Sequence, residues 1–183
     1  MPGAVFLRSD RLTLRTIEAE DVDFVHEHKN PPAVHRSYIW PYPENHDDVE
    51  EYLLEDDDGT SLLVCREGDD GDPEPVGEVG MHVDDRTREA EIGVWVAEPY
   101  WGEGYGTEAC ERFVDYAFDE RNVHRMMAKH IEGNDGSKRI WEKLGFAHEG
   151  THRESEFMDG EYRDMHVYGV LADEWRKRDA RQS

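Results

Sequence analysis

Three glycines at alternate positions, Gly102, Gly104 and Gly106, stand where one apolar run ends and a long amphipathic one begins. Bare of side chains, such a stretch lets several backbone N–H groups converge on one anion. The positive end of a helix opening near Gly106 points at the same place. The chemistry implied is a pyrophosphate cradle built from backbone; the plainer alternative is a flexible turn. No Lys follows the glycines, which speaks against a P-loop nucleotide hydrolase. The spacing departs from a dinucleotide fingerprint, and no acidic ribose ligand follows on a suitable parallel strand. Two further segments carry the residue types of a site, Glu132-Gly133-Asn134-Asp135-Gly136-Ser137 and Trp141-Glu142-Lys143-Leu144-Gly145-Phe146. The 10 histidines, in contrast, have spacings such as His26/His28 and His148/His152 that match no zinc pattern, so no metal is expected.

These segments need elements to position them. Arg11 to Ile17 alternates strictly and predicts a strand. Glu18 to Lys29 predicts a helix with Val22, Val25 and His26 on one face, stopped by Pro31-Pro32. A loop from Pro41 to Asp48 precedes a short helix carrying Val49, Tyr52 and Leu53. Ser61–Arg66, Val76–Val83 and Ala90–Ala97 predict three antiparallel strands, and Pro99 breaks the last. From Gly104 to Arg121 the apolar residues recur with the spacing of a helix buried on one face. A strand over Arg125–Ile131 should return parallel to Ala90–Ala97 by a right-handed crossover. Asp135–Leu144 predicts a helix ended by Gly145. Ala147–Met158 and Glu161–Leu171 predict a hairpin whose Asp159-Gly160 turn is type I′. Trp175 to Arg181 is a basic tail suited to complementing a helix C-terminus.

The expectation is therefore an α/β (α+β) chain with one central, mixed, mostly antiparallel twisted sheet, roughly seven strands and about four flanking helices. A single domain covers 1–183, its core about 7–171 and its tail 172–183.

Composition narrows the function. The 183 residues include 44 acidic against 21 basic ones, a net charge of −23, which argues against a partner with a phosphate backbone. Five Trp, eight Tyr and six Phe sit in periodic segments, which excludes disorder for most of the chain. A surface rich in Asp and Glu but poor in Lys suits a halophile's interior, where the Debye length is about 3 Å at 1 M salt. The plainer alternative is an ordinary acidic protein. No apolar run approaches the ~18 residues needed to span a bilayer. Residues 1–10 lack the basic and apolar regions of a signal peptide, and the two cysteines form no framework. A cytoplasmic location is expected.

Several segments taken together resemble the GCN5-related N-acetyltransferase (GNAT) superfamily, and within it the RimJ/RimL-like branch of ribosomal-protein N-terminal acetyltransferases. The carriers are Arg11-Leu12-Thr13-Leu14-Arg15, Ala90-Glu91-Ile92-Gly93-Val94-Trp95-Val96, Tyr100-Trp101-Gly102-Glu103-Gly104-Tyr105-Gly106-Thr107-Glu108-Ala109, Asn134-Asp135-Gly136-Ser137, Lys143-Leu144-Gly145-Phe146 and Asp159-Gly160-Glu161-Tyr162-Arg163-Asp164. The resemblance implies a GNAT fold and acetyl-CoA as acyl donor. It implies that the amides of Gly102, Glu103, Gly104, Tyr105, Gly106 and Thr107 hold the pyrophosphate. The strand end Trp95-Val96-Ala97 would pair with the pantetheine arm, Asn134 would bond to it, and Ser137 would stand near the thioester sulfur. One departure is Trp141, where many relatives carry a Tyr able to protonate the thiolate. Trp has no suitable acid, which leaves Ser137, water or no residue; a thiolate of pKa near 8.5 leaves without strong help.

Acetyl transfer needs a neutral amine. At pH 7 deprotonation costs about 1.4 kcal/mol for an α-amine and about 4.6 kcal/mol for a lysine. A carboxylate acting as base answers this need, and Glu91 is the leading candidate. Alternation puts Glu91, Gly93, Trp95 and Ala97 on one strand face and Ile92, Val94 and Val96 on the other. The alternatives are a structural Glu91 and Glu78 on the neighbouring strand. Glu156 and Glu161 are further candidates for recognising a cationic acceptor. Tyr38, Trp40 and Tyr42 either bind substrate or pack a lid, and His82 either touches substrate or is a satisfied structural His. The resulting expectation is transfer to a primary amine by direct attack in a ternary complex, with a protein N-terminal α-amine as first acceptor. A polyamine, amino acid or aminoglycoside is the alternative, and a silent CoA-binding module the second. Neither nucleic acid nor membrane is expected as partner, and homodimerisation through the last hairpin is plausible.

Overall fold

The computed structural model describes residues 2–35, 42–54 and 59–182, with side chains excepted at residues 35 and 179–182. Tyr38 and Trp40 lie outside the described residues.

The chain runs β1 (Val5–Arg8), β2 (Leu12–Arg15), α1 (Val22–Lys29), α2 (Pro32–His35), α3 (His46–Leu54), β3 (Gly59–Glu67), β4 (Pro73–Asp84), β5 (Glu89–Val96), α4 (Tyr105–Asp119), β6 (Arg125–Ile131), α5 (Asp135–Lys143), β7 (Ala147–Met158), β8 (Glu161–Leu171) and α6 (Ala172–Gln182). All eight strands join one sheet in the order β1-β2-β3-β4-β5-β6-β8-β7. Every neighbouring pair is antiparallel except β5 and β6, which are parallel across the α4 crossover. The mixed α/β architecture is as expected, with eight strands and six α-helices among the described residues.

The additional elements have local causes. Val5–Arg8 is too short to show a period, and becomes a strand only by pairing with β2. Glu18 and Asp21 exchange reciprocal capping bonds around a 3-10 turn, so α1 starts at Val22 rather than at Glu18. Pro31-Pro32 ends α1 but also opens α2, because Pro fits the first helical position. The basic tail is an 11-residue helix. As expected of it, Arg178 Nη1 donates to Leu144 O at 2.9 Å at the end of α5, and Arg176 Nη2 to Phe118 O at 3.3 Å in the last turn of α4. Asp159 and Gly160 have φ of 53° and 84°, both positive as a type I′ turn requires.

The sheet has two covered faces. One buries Leu62, Val64, Ile92, Met126 and Ala128 beneath α4, α5 and α6. The other buries Leu63, Cys65, Trp95 and Ala97 beneath α1 and α3. The expected alternation of β5 is therefore observed. Both cysteines are buried and unbridged, and burial pushes the Cys65 thiol up to about 12.

Candidate active site

The glycine loop sits between the end of β5 and the start of α4. Gly102 and Gly104 have φ of 85° and 84°, a conformation L side chains seldom adopt. A Cβ at Gly102 would meet nothing within 4 Å, and one at Gly104 would meet only Arg11 Nη2 at 3.5 Å. The loop thus faces open space beside the first N–H groups of α4, which have no intrahelical acceptor. Gly106 serves differently. A Cβ there would lie 3.0 Å from Ile140 Cδ1 and 3.5 Å from Val96 Cγ2, so the glycine lets α4 abut β5 and α5.

A polar clamp holds the loop. Glu108 accepts from Ser9 Oγ at 2.7 Å, the Arg11 backbone N–H at 2.8 Å and Arg11 Nε at 2.8 Å. Arg11 Nη1 also donates to Glu103 O at 3.1 Å. Burial works to raise the Glu108 carboxyl, but these donors together hold it below the usual range. Trp101 Nε1 donates to Val96 O at 2.6 Å, so this indole anchors the loop to the strand end.

Beyond the loop the two central strands part. β5 and β6 pair only through Glu89–Arg125, Ala90–Met126 and Glu91–Met127. Ala97 N–H bonds to Val76 O on β4, and antiparallel bonding alternates, so the backbones of Val94 and Val96 face the gap instead. An extended chain entering there meets strand-like donors and acceptors. Of the three residues expected to pair with the pantetheine arm, Val96 presents backbone to this gap, while Ala97, like Trp95, is turned to β4.

The gap opens into a cleft of about 400 Å³. Glu78, Glu91, Gly93 and Trp95 line it, as do Lys129, His130, Ser137 and Trp141. Glu78 is buried and accepts from Tyr52 OH and Trp95 Nε1, each at 2.8 Å; both donors are neutral. Glu91 is half-exposed and ion-paired with Lys129 at 2.8 Å. The structure thus brings the first-choice base and its runner-up together, with different partners. Asn134 caps α5. Its Oδ1 accepts from the Ser137 N–H and its Nδ2 donates to Ser137 Oγ, both at 3.0 Å. Trp141 is buried, and its Nε1 has no acceptor among the described residues. His82 is exposed and lines the cleft, Tyr42 is 64% exposed, and Glu156 and Glu161 lie on the outer hairpin. A second cavity of about 330 Å³ shares Tyr52, Gly59 and Ser61 with the first, and Phe6, Leu53 and Leu62 also line it.

Arg11, Glu108, Tyr52, Lys129 and His130 carry no site role in the sequence. Nothing local marks them, since each acts through a partner on another element. Strand alternation puts Lys129 and His130 on opposite faces, and the pairing of β6 with β8 holds that strand beside the cleft.

The model of the acetyltransferase (GNAT) domain matches residues 11–147. YdaF of Bacillus subtilis, which carries the name of a ribosomal N-acetyltransferase, is 35% identical over 100 residues, 54% of this chain and 55% of that protein. A Vibrio cholerae spermidine N-acetyltransferase solved with CoA and spermine superposes with a TM-score of 0.82 at 25% identity, covering 92% of this chain and 99% of the other. RimL, a ribosomal L7/L12 α-N-protein acetyltransferase solved with CoA, has a TM-score of 0.80 at 19% identity, covering 92% and 98%, and so shares the fold.

Proposed function

Since the chain belongs to the GNAT acetyltransferase family, acyltransferases that draw their acetyl group from acetyl-CoA, we propose that it acetylates a protein N-terminal α-amine by direct attack in a ternary complex. One observation carries the choice of acceptor. The second cavity shares Tyr52, Gly59 and Ser61 with the cleft, and among the described residues no charged side chain lines it. A peptide extending from the reacting nitrogen suits such a wall. Among the described lining residues the second ammonium of a polyamine meets no carboxylate. The polyamine reading keeps one support of its own, the likeness to the spermidine enzyme solved with spermine.

The cradle fits the donor: open space over Gly102 and Gly104, a helix N-terminus behind them, and strand backbone that β6 does not pair leading inward. In this reading the loop amides from Gly102 to Thr107 bind the pyrophosphate, Val96 and the strand end beside it align the arm, and Asn134 sets Ser137 close to the sulfur. Bound acetyl-CoA supplies a thioester carbonyl to the attacking amine. Glu78 receives the incoming ammonium, and Glu91 removes its first proton to solvent, directly or through water. The acidic shell belongs to a halophile's cytoplasm, and two copies pair along the free sheet edge at β7, where Phe157 and Tyr162 stand exposed.

The test is CoA release from acetyl-CoA in molar KCl over free α-amine peptides, spermidine and an aminoglycoside. Turnover confined to the peptides supports the reading, and turnover on spermidine alone replaces it with the polyamine one. With the accepted amine, Glu91→Gln should lower kcat by roughly 10²-fold with unchanged acetyl-CoA affinity. Unaltered kcat removes Glu91 from the role of base.

A further inference from the structure

The cleft has two kinds of wall. The carboxylates reach it from the α1/α3 face of the sheet. His130, Ser137 and Trp141 reach it from the side of α4 and α5. Trp141, buried on the second side, has no ionisable proton to give. Yet the transfer moves two protons. The first leaves the ammonium before attack. The second stays on the attacking nitrogen and must reach the leaving sulfur.

His130 is built for that second proton. It is 95% buried, since only 5% of its surface is exposed. Its Nδ1 lies 3.0 Å from Ile131 O. A carbonyl only accepts, so Nδ1 carries the hydrogen and Nε2 holds a lone pair. That Nε2 is buried and has no hydrogen-bond partner among the described residues. A buried orphan acceptor costs about 1–3 kcal/mol, so its retention on the wall of a cleft calls for a ligand. The ring is fixed by stacking on His166 at 4.9 Å between centroids, and by Tyr168 at 5.4 Å. His166 in turn meets His148 at 3.4 Å, and Thr151 Oγ1 touches both.

We propose that His130 Nε2 is the proton relay of the acetyl transfer, carrying the second proton from the acceptor nitrogen to the sulfur. As the N–C bond forms, Nε2 takes the proton that the nitrogen sheds. As the C–S bond breaks, the imidazolium returns it to the thiolate, so the amide and free thiol leave with His130 neutral again. The N–H of Trp141 lies on the same wall, also unpartnered, and offers the sulfur a hydrogen bond without a proton. The electrostatic setting agrees. Burial and the nearby His166, Lys138 and His148 push the imidazole below its ordinary pKa against the opposing Ile131 carbonyl, so it starts neutral. Tyr168 packs beside it uncharged, its phenol raised by burial.

The proposal rests on acetyl transfer but not on which amine is accepted, and its test separates the two. The imidazole carbon-bound protons of His130, assigned by the loss of their signals in His130→Gln, are followed by NMR in the full chain. CoA should shift them and move the ring pKa, because its sulfur then faces Nε2; desulfo-CoA should leave the pKa as in the free protein. Equal responses to the two ligands overturn the relay whether or not any amine turns over. With an accepted amine, His130→Gln should lower kcat about 10²-fold, leave the acetyl-CoA Kd within two-fold, and remove the acidic limb of the kcat profile. Imidazole should restore part of the loss. A variant that keeps kcat and the acidic limb also overturns the relay, while acetyl transfer itself stands.

Discussion

Trp95 Nε1 donates to Glu78 Oε2 at 2.8 Å between directly paired residues of β5 and β4. With Tyr52 on its other oxygen, Glu78 is held among the described residues by two neutral donors. Its carboxylate is positioned by hydrogen bonds and has no ion pair among the described residues, which leaves it available to a cation. Glu78→Gln keeps the shape and removes the charge. It should raise the acceptor KM by about ten-fold or more, as loss of a charge-assisted hydrogen bond would, and leave the acetyl-CoA KM unchanged. Steady-state kinetics in both substrates checks this; an acceptor KM within two-fold of the parent removes Glu78 from the acceptor site.

Gly104 adopts φ of 84° beside open space. Valine there suffers backbone strain of about 1–2 kcal/mol and places its methyls where the anion would lie. Gly104→Val should weaken acetyl-CoA binding at least ten-fold by calorimetry. Gly102→Ala, with empty space for its Cβ, isolates the strain from the bulk and should weaken it less.

Asn134 has its cap bonds to Ser137. Asn134→Ala should cost about 1 kcal/mol, a fall in Tm of about 2–4 °C for a chain of this size. Asn134→Asp keeps the accepting oxygen and should hold the Tm. If the aspartate variant binds acetyl-CoA like the parent, the side chain acts only through α5. Ser137→Ala should lower kcat modestly with Tm nearly unchanged.

The lowered pKa of His130 has a consequence for stability. The folded state binds fewer protons at this ring than the unfolded chain does. Its contribution to stability is therefore present above the ordinary His value of 6.5 and lost as pH falls through the lower folded value. The urea midpoint should fall between pH 7.5 and 5.5, and fall less in His130→Gln. Parallel behaviour of the two proteins would show that folding does not lower the pKa of this ring.

A charge of −23 on 183 residues makes self-repulsion strong where salt is scarce. Dialysis from 2 M KCl to 20 mM should lower the Tm markedly, since the Debye length grows from under 3 Å to beyond 20 Å. Full stability at low salt, followed by circular dichroism, would mark the acidic shell as ordinary.

What the sequence alone determined is what short-range physics sets. The alternation of β5 assigns Glu91, Gly93 and Trp95 to one face. The spacing of apolar residues assigns α4 its buried side, and Asp159-Gly160 specifies its turn through positive φ. The glycine loop is likewise visible, because its cause is local. Tertiary structure decided the rest. Val5–Arg8 is a strand only because β2 lies beside it. Glu91 meets Lys129 38 residues away, and Glu78 meets Trp95 17 residues away. His130 joins the cleft because β5 and β6 part after three pairs. Strand order and register arise from many weak contacts summed over the whole core, and a residue's neighbours do not encode that sum. The two carboxylates look alike in the sequence. Only the fold gives one a lysine and the other two neutral donors, and that difference separates their chemistry.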